Sequence, residues 1–378
     1  MTIPRRILMT ADAVGGVWRY AIGLAREFCP AGVHIDLAVL GRRPAADFIV
    51  EAAEIPRLRL HFGDFPLEWM NYDWPAVDRS GQWLLELERA TAPDVVHLNG
   101  YVHGALSWQA PALVVGHSSV CSWFEAVEGC AASAEWSAYR QRVGRGLRSA
   151  AAVTAPTRAM LAALERLYGP FRAVGPIPNG CRPLEPAPLK REIIFTAGRL
   201  WDRAKNAAAL AAAATALDWP VYAAGADVSP DGRRIDLEPL RLLGQLPAAE
   251  TADWMRNAAI FAAPARYEPF GLAILEAAAA GCALVLGDIP SLREIWDGCA
   301  VFVPPDDAEA LRAVLAELIR SPESRRHWAE RARQRSRRFT TSRTARAYLT
   351  LYARLIAQRR APAAASTDMR SSWSLAVE

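Results

Sequence analysis

Lysine is almost missing from this chain. Of its 44 basic residues only Lys190 and Lys205 are lysines, and the rest are arginines. Because arginine serves wherever a generic positive charge is sufficient, a retained lysine indicates a position that needs a compact ammonium group. Lys190 lies in a polar linker, where chance can explain it. Lys205 lies in Gly198-Arg-Leu-Trp-Asp-Arg-Ala-Lys205 and is the first candidate functional residue.

The chain also lacks the cysteine patterns of disulfide-bonded and zinc-binding proteins. Its six cysteines include no Cys-x-x-Cys and form no cluster with histidine. This scatter argues against a metal site and is typical of reduced core residues in a cytosolic protein. No apolar run of transmembrane length is uninterrupted, and residues 1–10 carry no secretory pattern. We therefore expect a cytoplasmic protein, with at most peripheral contact at the inner face of a membrane.

Excess charge is small, since the formal net charge is +4. Much of it lies in the arginine-rich stretches 325–346 and 354–360. An arginine-rich helix can bind anionic lipid or nucleic acid. The sequence favours a solvated helix face instead, because no interleaved aromatic residues or nucleic-acid motif accompany the arginines. We expect no nucleic-acid partner.

The length of 378 residues and a hydrophobic content of 52% predict two globular domains. The chain opens with a strand at Ile7–Met9, a loop at Thr10–Val14, the pair Gly15 and Gly16, and a helix from about Val17 to Phe28. This order is typical of a nucleotide-binding unit, but without a complete Gly-x-Gly-x-x-Gly the signal is weak. Further strands are predicted at Ile35–Leu40, Val95–Leu98, Ala112–Val115 and Ala151–Ala155, with helices at Ser80–Ala90, Glu135–Arg148 and Thr157–Tyr168.

A proline-rich linker over 181–191 precedes a second series of elements. Its strands are predicted at Ile193–Ala197, Val221–Ala224, Ile260–Ala263, Ala283–Leu286 and Ala300–Val303, and its helices at 206–217, Ala248–Asn257, 272–280 and Glu309–Ile319. Alternation of strands and helices predicts two tandem, doubly wound, Rossmann-like α/β domains that face a cleft, over 1–182 and 190–340. Terminal helices are predicted at 323–338 and 342–358, and the Ala/Ser-rich stretch 361–378 is predicted to be disordered.

The most informative motif is Arg-Tyr-Glu-Pro-Phe-Gly-Leu-Ala-Ile-Leu-Glu at 266–276. A strand pattern ends just before it, at Pro264, and a helix pattern follows Gly271. Glu268 is therefore expected at the carboxyl end of a strand, where α/β sheets bind ligands, and Glu276 on the next helix. A helix N-terminus attracts phosphate, whereas carboxylates suit sugar hydroxyls. The motif thus indicates a nucleotide-sugar site, the alternative being a capped helix with an incidental glutamate.

On these motifs the chain resembles the retaining glycosyltransferases of family 4, which include glycogen and sucrose synthase-like enzymes and have the glycosyltransferase-B (GT-B) architecture. The resemblance covers nearly the whole chain, and the family's two glutamates separated by seven residues correspond to Glu268 and Glu276. It implies that Glu268 contacts hydroxyls of the donor sugar and that Glu276 holds the ribose hydroxyls. It also implies that backbone N–H groups of Phe270, Gly271 and Leu272 approach the sugar and the diphosphate.

The same resemblance assigns a role to the rare lysine. The family's Gly-Arg…Lys set, which grips the donor diphosphate, corresponds to Gly198, Arg199 and Lys205. Two cations and helix N-termini can neutralise a diphosphate leaving group. The sequence contains no Asp-x-Asp, the usual metal anchor of the other major glycosyltransferase fold. We therefore expect no metal and no cofactor besides the nucleotide-sugar co-substrate; the alternative for Arg199 and Lys205 is a solvated loop.

In the first domain the resemblance points to the carboxyl edge of the predicted sheet. Gly15 and Gly16 correspond to the glycine loop under the diphosphate. His117 corresponds to a histidine beside the donor sugar, with a packing histidine as the alternative. Asn99 and His103 are candidate acceptor contacts only, because the chain departs from the family's second histidine near Asn99.

Three further segments correspond more loosely. Gln245 and Leu246 resemble a strand end whose backbone reads the nucleotide base. Residues 290–294 take the place of a commoner Gly-Gly-x-Pro-Glu, and their missing glycines weaken the case for a phosphate contact there. The helix at 342–360 resembles the family's terminal helix, which crosses back to the first domain.

We predict a metal-independent transferase that moves a hexose-type sugar from a nucleotide-diphosphate sugar to a saccharide, lipid-linked or small-molecule hydroxyl, with retention. A donor phosphate oxygen would accept the acceptor's proton, so the main electrostatic task is to stabilise the departing diphosphate. The alternatives are a nucleotide-sugar epimerase of the same architecture and a catalytically inert nucleotide-sugar-binding protein. Hydrolysis by paired carboxylates fits poorly, because nothing marks either glutamate as a proton donor.

Overall fold

The chain forms two compact units, each built around one parallel sheet. The computed structural model describes residues 3–12, 15–70 and 73–360. Unit 1 comprises the described residues of Met1–Phe124, Ala131–Asn179 and Thr341–Glu378, and unit 2 comprises Glu125–Cys130 and Gly180–Thr340. The predicted tail at 361–378 lies outside the described residues.

Unit 1 contains a six-stranded sheet in the order β3-β2-β1-β4-β5-β6, in which all neighbouring strands are parallel. Its strands are β1 (Arg6–Asp12), β2 (His34–Leu40), β3 (Leu58–Gly63), β4 (Val95–Leu98), β5 (Ala112–Val115) and β6 (Ala152–Thr154). The α-helices before residue 180 are α1 (Gly16–Phe28), α2 (Ala46–Ala53), α3 (Trp74–Thr91), α4 (Val120–Val127), α5 (Ser137–Ser149) and α6 (Arg158–Tyr168).

The continuous apolar strands of unit 1 are covered on both faces, as parallel sheets require. Along β1, Ile7 and Met9 pack in one core cluster, whereas Leu8 packs in a second cluster on the opposite face. This follows from the alternation of side chains along a strand. The sheet therefore presents little besides its strand ends for polar chemistry.

Two sequence expectations for unit 1 are corrected. Strand β1 continues through Asp12, where a loop over Thr10–Val14 was expected, because its parallel register with β2 extends to the pair Asp12 and Leu40; residues 13 and 14 lie outside the described part. The sequence interpretation also missed α2, β3 and α4. Strand β3 lies at the sheet's edge and is only partly buried, which removes the apolar signal that marks an internal strand.

Unit 2 contains a second six-stranded parallel sheet, in the order β12-β11-β10-β7-β8-β9. Its strands are β7 (Arg191–Ala197), β8 (Val221–Ala224), β9 (Arg241–Gly244), β10 (Ala258–Ala263), β11 (Ala283–Gly287) and β12 (Val301–Val303). Its helices are α7 (Ala207–Ala214), α8 (Ala248–Asn257), α9 (Leu272–Ala279), α10 (Pro290–Trp296), α11 (Ala308–Arg320) and α12 (Pro322–Ser336).

The last described helix, α13 (Thr341–Arg360), belongs to unit 1. It packs on α1, and Tyr348, Leu351 and Tyr352 are fully buried in the core cluster that also holds Ile7 and Met9. The chain thus returns to unit 1 after completing unit 2. The six described strands of each unit and this return confirm the predicted doubly wound architecture.

Lys190, which chance could explain in the sequence, has a structural role. Its Nζ donates hydrogen bonds to the carbonyl oxygens of Ala280 at 2.6 Å and Met255 at 3.1 Å, at the carboxyl-terminal ends of α9 and α8. A cation is favourable there because it offsets the negative end of the helix dipole. Burial lowers the pKa of this amine. Lys190 therefore occupies a specific position.

Candidate functional site

The carboxyl ends of β7, β8 and β9 form one polar edge of unit 2. The residue that follows one strand is hydrogen-bonded to the last residue of the next: Gly198 N donates to Ala224 O at 3.0 Å, and Gly225 N donates to Gly244 O at 2.7 Å. Strands β7, β8 and β9 therefore end side by side, with a register shift between β8 and β9 at Ala223 and Ala224. This is the edge at which α/β sheets bind ligands.

Gly225 permits the close approach of these strand ends. A Cβ atom at this position would lie 1.7 Å from the carbonyl oxygen of Gly198, and its φ of +134° is one that side chains rarely adopt. The sequence interpretation named Gly198 but missed Gly225. A glycine directly after an apolar strand was the available signal.

Asp202 organises the loop that carries the predicted cations. Its carboxylate accepts hydrogen bonds from Arg199 Nη2 at 2.9 Å and from the backbone N of Ala204 at 3.0 Å. Asn206 then ties the loop to the sheet, since its Nδ2 donates to the carbonyl oxygens of Pro264 and Pro305. The loop is thereby held beside the end of β10. Asp202 and Asn206 are site residues that sequence reasoning missed.

Lys205 and Glu268 meet at this edge. They lie 63 positions apart in the sequence, yet Nζ of Lys205 is 2.5 Å from Oε2 of Glu268. The side chains are 26% and 17% exposed, so the ion pair remains accessible. A Cβ atom at Gly198 would lie 3.6–3.7 Å from the Lys205 side chain, so the lysine stem runs beside this glycine. The structure thus brings together three residues that two separate motifs had singled out.

Arg199 lies on the same loop, but Asp202 offsets its charge. Its guanidinium also lies 5.7 Å from the ring of Trp201 and is 43% exposed. Arg199 is six positions from Lys205 in the sequence, but its contacts are with Asp202 and Trp201 of its own loop.

Helix α9 begins at the motif with no side-chain cap. Its N-cap is Gly271, whose φ of +87° places it in the left-handed region, and a Cβ there would lie 2.7 Å from Ile274 Cδ1. Phe270 is buried and packs edge-to-face on Phe339 at 6.0 Å. Leu272 is the first residue of the helix. The first backbone N–H groups of such a helix can bind an anion.

The remaining residues of unit 2 that the sequence singled out lie on other elements of the same unit. Glu276 lies on α9, as predicted, and is partly buried. Gln245 and Leu246 directly follow β9; Gln245 is exposed and Leu246 packs against the core of unit 2. Glu294 lies exposed on α10.

A second polar cluster lies at the carboxyl edge of the unit 1 sheet. Asn99 follows β4 and His117 follows β5, and Nε2 of His117 lies 2.8 Å from Oδ1 of Asn99. Nε2 of His97 lies 3.2 Å from the same oxygen. Tyr20 of α1 packs its ring edge-to-face against His117 at 4.7 Å. These predicted residues are thus joined to Tyr20, which the sequence interpretation had not included, and to His97, to which it had given no role.

The cluster is electrically neutral at physiological pH. Burial lowers the pKa of His97 to about 3 and that of His117 to about 4. His97 is fully buried, and its Nδ1 lies 2.5 Å from the hydroxyl of Tyr352 on α13. The imidazoles therefore act as neutral hydrogen-bonding groups.

His103 lies in a different environment. It is buried, its Nε2 lies 2.8 Å from Oγ of Ser80 on α3, and burial lowers its pKa to about 4. The structure does not join it to Asn99. Gly15 and Gly16 lie at the start of α1, with Gly15 as its N-cap.

Glu68 is a further polar residue that the sequence interpretation missed. Its carboxylate accepts hydrogen bonds from the backbone N–H groups of Tyr101 at 2.9 Å and Val102 at 2.9 Å. Burial raises its pKa to about 7, and these two N–H groups oppose the increase. Glu68 therefore holds the loop that follows Asn99. A single glutamate in a poorly patterned stretch carries no signal for such a role.

Two family models match most of the chain. The model described as "Glycosyl transferases group 1" matches residues 233–335, and the model described as "Glycosyl transferase 4-like domain" matches residues 15–180. Between them they cover the motif at 266–276 and the histidine cluster of unit 1.

The chain is also similar to individual enzymes. It is 38% identical over 106 residues to the phosphatidyl-myo-inositol mannosyltransferase of Mycolicibacterium smegmatis, a match that spans 27% of this chain and only 28% of that enzyme. It is 26% identical over 379 residues to the glycogen synthase of Mycobacterium tuberculosis, covering 87% of this chain and 90% of that enzyme.

Solved structures share the fold. Sucrose-phosphate synthase from Thermosynechococcus elongatus matches with a TM-score of 0.77 and 19% identity over 94% of this chain and 100% of that chain. Anabaena HepE in complex with UDP and glucose matches with a TM-score of 0.70 and 16% identity over 93% and 99%. Among the described residues, no helix of the chain has both the length and the apolar character needed to cross a membrane.

Proposed function

The chain belongs to the group 1 glycosyltransferases of GT-B architecture, and from this premise we propose that it moves a hexose-type sugar from a nucleotide-diphosphate sugar to a hydroxyl acceptor, with retention and without a metal ion. The observation that carries the proposal is the accessible pair of Lys205 and Glu268 at the strand ends of unit 2.

The two charges of this pair fit the two halves of such a donor. Lys205 offers a compact cation for a diphosphate oxygen. A phosphate that binds Lys205 replaces Glu268 as its counter-ion, which leaves the carboxylate of Glu268 able to accept hydrogen bonds from sugar hydroxyls. Ligand binding would thus exchange one ion pair for two sets of charge-assisted contacts.

The backbone around the pair supports a diphosphate. Helix α9 starts at Gly271 without a side-chain cap, so the N–H groups of Phe270, Gly271 and Leu272 are candidates for the phosphate and sugar oxygens. We propose that Lys205, Arg199 and these N–H groups stabilise the leaving diphosphate. We propose that Gly198, which lies beside the Lys205 side chain, adjoins the diphosphate as well.

Other residues would complete donor recognition. We propose that Glu276 holds the ribose hydroxyls and that the backbone at Gln245 and Leu246 contacts the base. We propose Gly15 and Gly16 as a further diphosphate contact in unit 1. His117 is proposed to contact a substrate hydroxyl. The hydrogen bonds of the Asn99 amide to Thr10 and His117 favour a positioning role for Asn99, and the hydrogen bond of His103 to Ser80 favours a structural role for His103.

The relatives suggest where to begin a substrate screen. The HepE structures contain UDP, glucose or UDP-glucose, and one relative, matched over 27% of this chain, is a mannosyltransferase. We therefore propose nucleotide-diphosphate glucose and mannose donors as the first candidates. Release of nucleoside diphosphate would be measured against saccharide, lipid-linked and small-molecule acceptors, and the anomeric configuration of the product by NMR.

Each alternative gives a different result in this screen. A donor isomerised without acceptor would indicate an epimerase, and binding without turnover on every acceptor would indicate an inert binding protein. Product with inverted configuration would contradict the retaining mechanism. Transfer with retention would support the proposal.

A further inference from the structure

We propose that Asn99 is a positioning residue that holds His117 in the tautomer protonated at Nε2, so that Nδ1 of His117 accepts a hydrogen bond from a substrate hydroxyl. The inference rests on the proposed function and adds to it the direction of one hydrogen bond, from a substrate hydroxyl to Nδ1 of His117. It follows from the hydrogen bonds that surround the side-chain amide of Asn99.

Thr10 determines which end of the Asn99 amide faces the histidines. Nδ2 of Asn99 donates to the carbonyl oxygen of Thr10 at 2.7 Å, and the backbone N of Asn99 donates to Oγ1 of the same residue at 2.9 Å. Only an amide nitrogen can donate to a carbonyl oxygen. Oδ1 must therefore be the atom directed at the two imidazoles.

The amide oxygen in turn selects the tautomer of His117. An amide oxygen only accepts hydrogen bonds, so Nε2 of His117, 2.8 Å away, must carry the proton. Burial lowers the pKa of His117 to about 4, so at neutral pH the ring holds one proton and Nδ1 has a free lone pair. Within the described part of the chain, the hydrogen bond to Asn99 is the contact that the ring nitrogens of His117 make.

A second layer fixes the other histidine in the same way. Nε2 of His97 lies 3.2 Å from Oδ1 of Asn99 and 3.3 Å from the hydroxyl oxygen of Tyr20, and in the tautomer protonated at Nε2 it donates toward both. Its Nδ1 then accepts from the hydroxyl of Tyr352, at 2.5 Å. The terminal helix α13 thus supports the orientation of Asn99 through His97. Tyr20 packs on both rings and narrows the space in which His117 can turn.

A neutral nitrogen with a lone pair selects a donor group on the ligand. Sugar hydroxyls can donate, whereas phosphate oxygens above their pKa only accept. We therefore assign His117 to hydroxyl recognition and not to the diphosphate. Had Asn99 presented its nitrogen, His117 would carry its proton on Nδ1 and would recognise an acceptor instead.

The decisive variant is Asn99→Asp. The aspartate has nearly the same shape and still accepts from Nε2, but its negative charge favours the doubly protonated imidazolium, whose Nδ1 is a donor. With the donor that the wild type turns over, we expect kcat/KM to fall about tenfold to hundredfold at pH 6 and to recover as the pH rises through the new pKa of His117. Asn99→Ala should lose activity without recovery at any pH. Equal, pH-independent losses in both variants would overturn the inference.

Ser80→Ala is the matched control. It removes the hydroxyl that is hydrogen-bonded to a different buried histidine of unit 1, His103. Its kcat/KM should stay within about twofold of the wild type. A loss as large as that of Asn99→Asp would mean that any disturbed histidine in unit 1 produces the effect, which would also overturn the inference.

The tautomer can be measured without turnover. In ¹⁵N-histidine-labelled protein at pH 7.5, with signals assigned by His117→Gln, Nε2 of His117 should show the shift of a protonated nitrogen and Nδ1 that of an unprotonated one. The opposite pattern would refute this inference alone. An absence of transfer in the full substrate screen would instead refute the proposed function, whatever tautomer is found.

Discussion

Units 1 and 2 place polar groups at the same edge of the same kind of sheet, but with different electrostatics. In unit 2 the edge carries an accessible ion pair, Lys205 and Glu268, beside an uncapped helix. In unit 1 it carries an amide and two imidazoles whose pKa values burial lowers to about 4 or below. Charges that can exchange partners suit a diphosphate, whereas neutral groups of fixed direction suit hydroxyls. Two sheets of the same topology can therefore carry different chemistry at the same edge.

The largest expected effect comes from a substitution at the charged edge of unit 2. Lys205→Ala should lower kcat by about 10²–10³, the usual loss when one stabilising group for a leaving charge is removed. Arg203→Ala is the control, because it removes another cation of the same loop with 62% side-chain exposure. Steady-state rates and melting temperatures would be compared. Similar rates for the wild type and Lys205→Ala would eliminate the phosphate role.

Acid should lower the stability of unit 1, which contains the buried neutral histidines. In the folded protein the pKa values of His97 and His103 lie near 3 and 4, below the ordinary 6.5. The unfolded chain therefore binds more protons, and stability present above pH 6.5 is lost as the pH falls toward 4, by up to about 1.4 kcal/mol per pH unit for each histidine. Glu68, whose pKa is raised to about 7, opposes part of this loss, because its folded-state proton stabilises the fold below pH 7.

Urea unfolding at pH 7 and pH 5 measures how much the free energy of unfolding decreases between the two pH values. His103→Gln should make this decrease smaller, whereas His327→Gln, which changes an exposed histidine of unit 2, should leave it unchanged. If the free energy of unfolding of His103→Gln decreased as much as that of the wild type, this histidine would not be a source of the acid sensitivity.

Glu276→Ala tests the ribose-binding role proposed for Glu276 in unit 2. If Glu276 accepts hydrogen bonds from the ribose, its loss should weaken binding of the free nucleoside diphosphate by about tenfold to hundredfold, since hydrogen bonds to charged groups contribute roughly 1.5–3 kcal/mol. Calorimetric titration measures this directly. Glu294→Ala, on the neighbouring helix α10, is the control. An effect confined to acceptor affinity would contradict the ribose role.

Tyr352→Phe perturbs the neutral cluster from a distance. The variant removes the hydroxyl that is hydrogen-bonded to Nδ1 of His97 and leaves the ring in the core. We expect kcat/KM to fall about threefold to tenfold, as for the loss of one buried hydrogen bond. Ser80→Ala again serves as the comparison. A decrease in Tm with unchanged kinetics would limit Tyr352 to packing.

The smallest expected effect concerns metal ions. If cations and backbone N–H groups of unit 2 suffice for the diphosphate, excess EDTA should leave the rate within about twofold. Reassay after addition of Mg²⁺ or Mn²⁺ completes the measurement. Strict dependence on an added divalent ion would refute the metal-free mechanism.

The sequence was most informative where chemistry is local. The motif at 266–276 predicted a strand end, a loop glutamate and a helix start, and the structure has each of these features. The rarity of lysine singled out Lys205. The interpretation was less informative where a role depends on distant partners: Lys190 caps two helices that are far from it in sequence, and Gly225 is needed because the Gly198 carbonyl approaches it.

By itself the sequence determined the class of the fold, because hydrophobic periodicity and turn residues act over a few positions. It also determined which residues carry unusual chemistry, since that is a matter of residue type. Only the tertiary structure decided that Lys205 meets Glu268 and that Asn99 presents its oxygen to His117. Those relations depend on parallel strands bringing remote loops to one edge and on burial removing the water that would otherwise compete for each hydrogen bond.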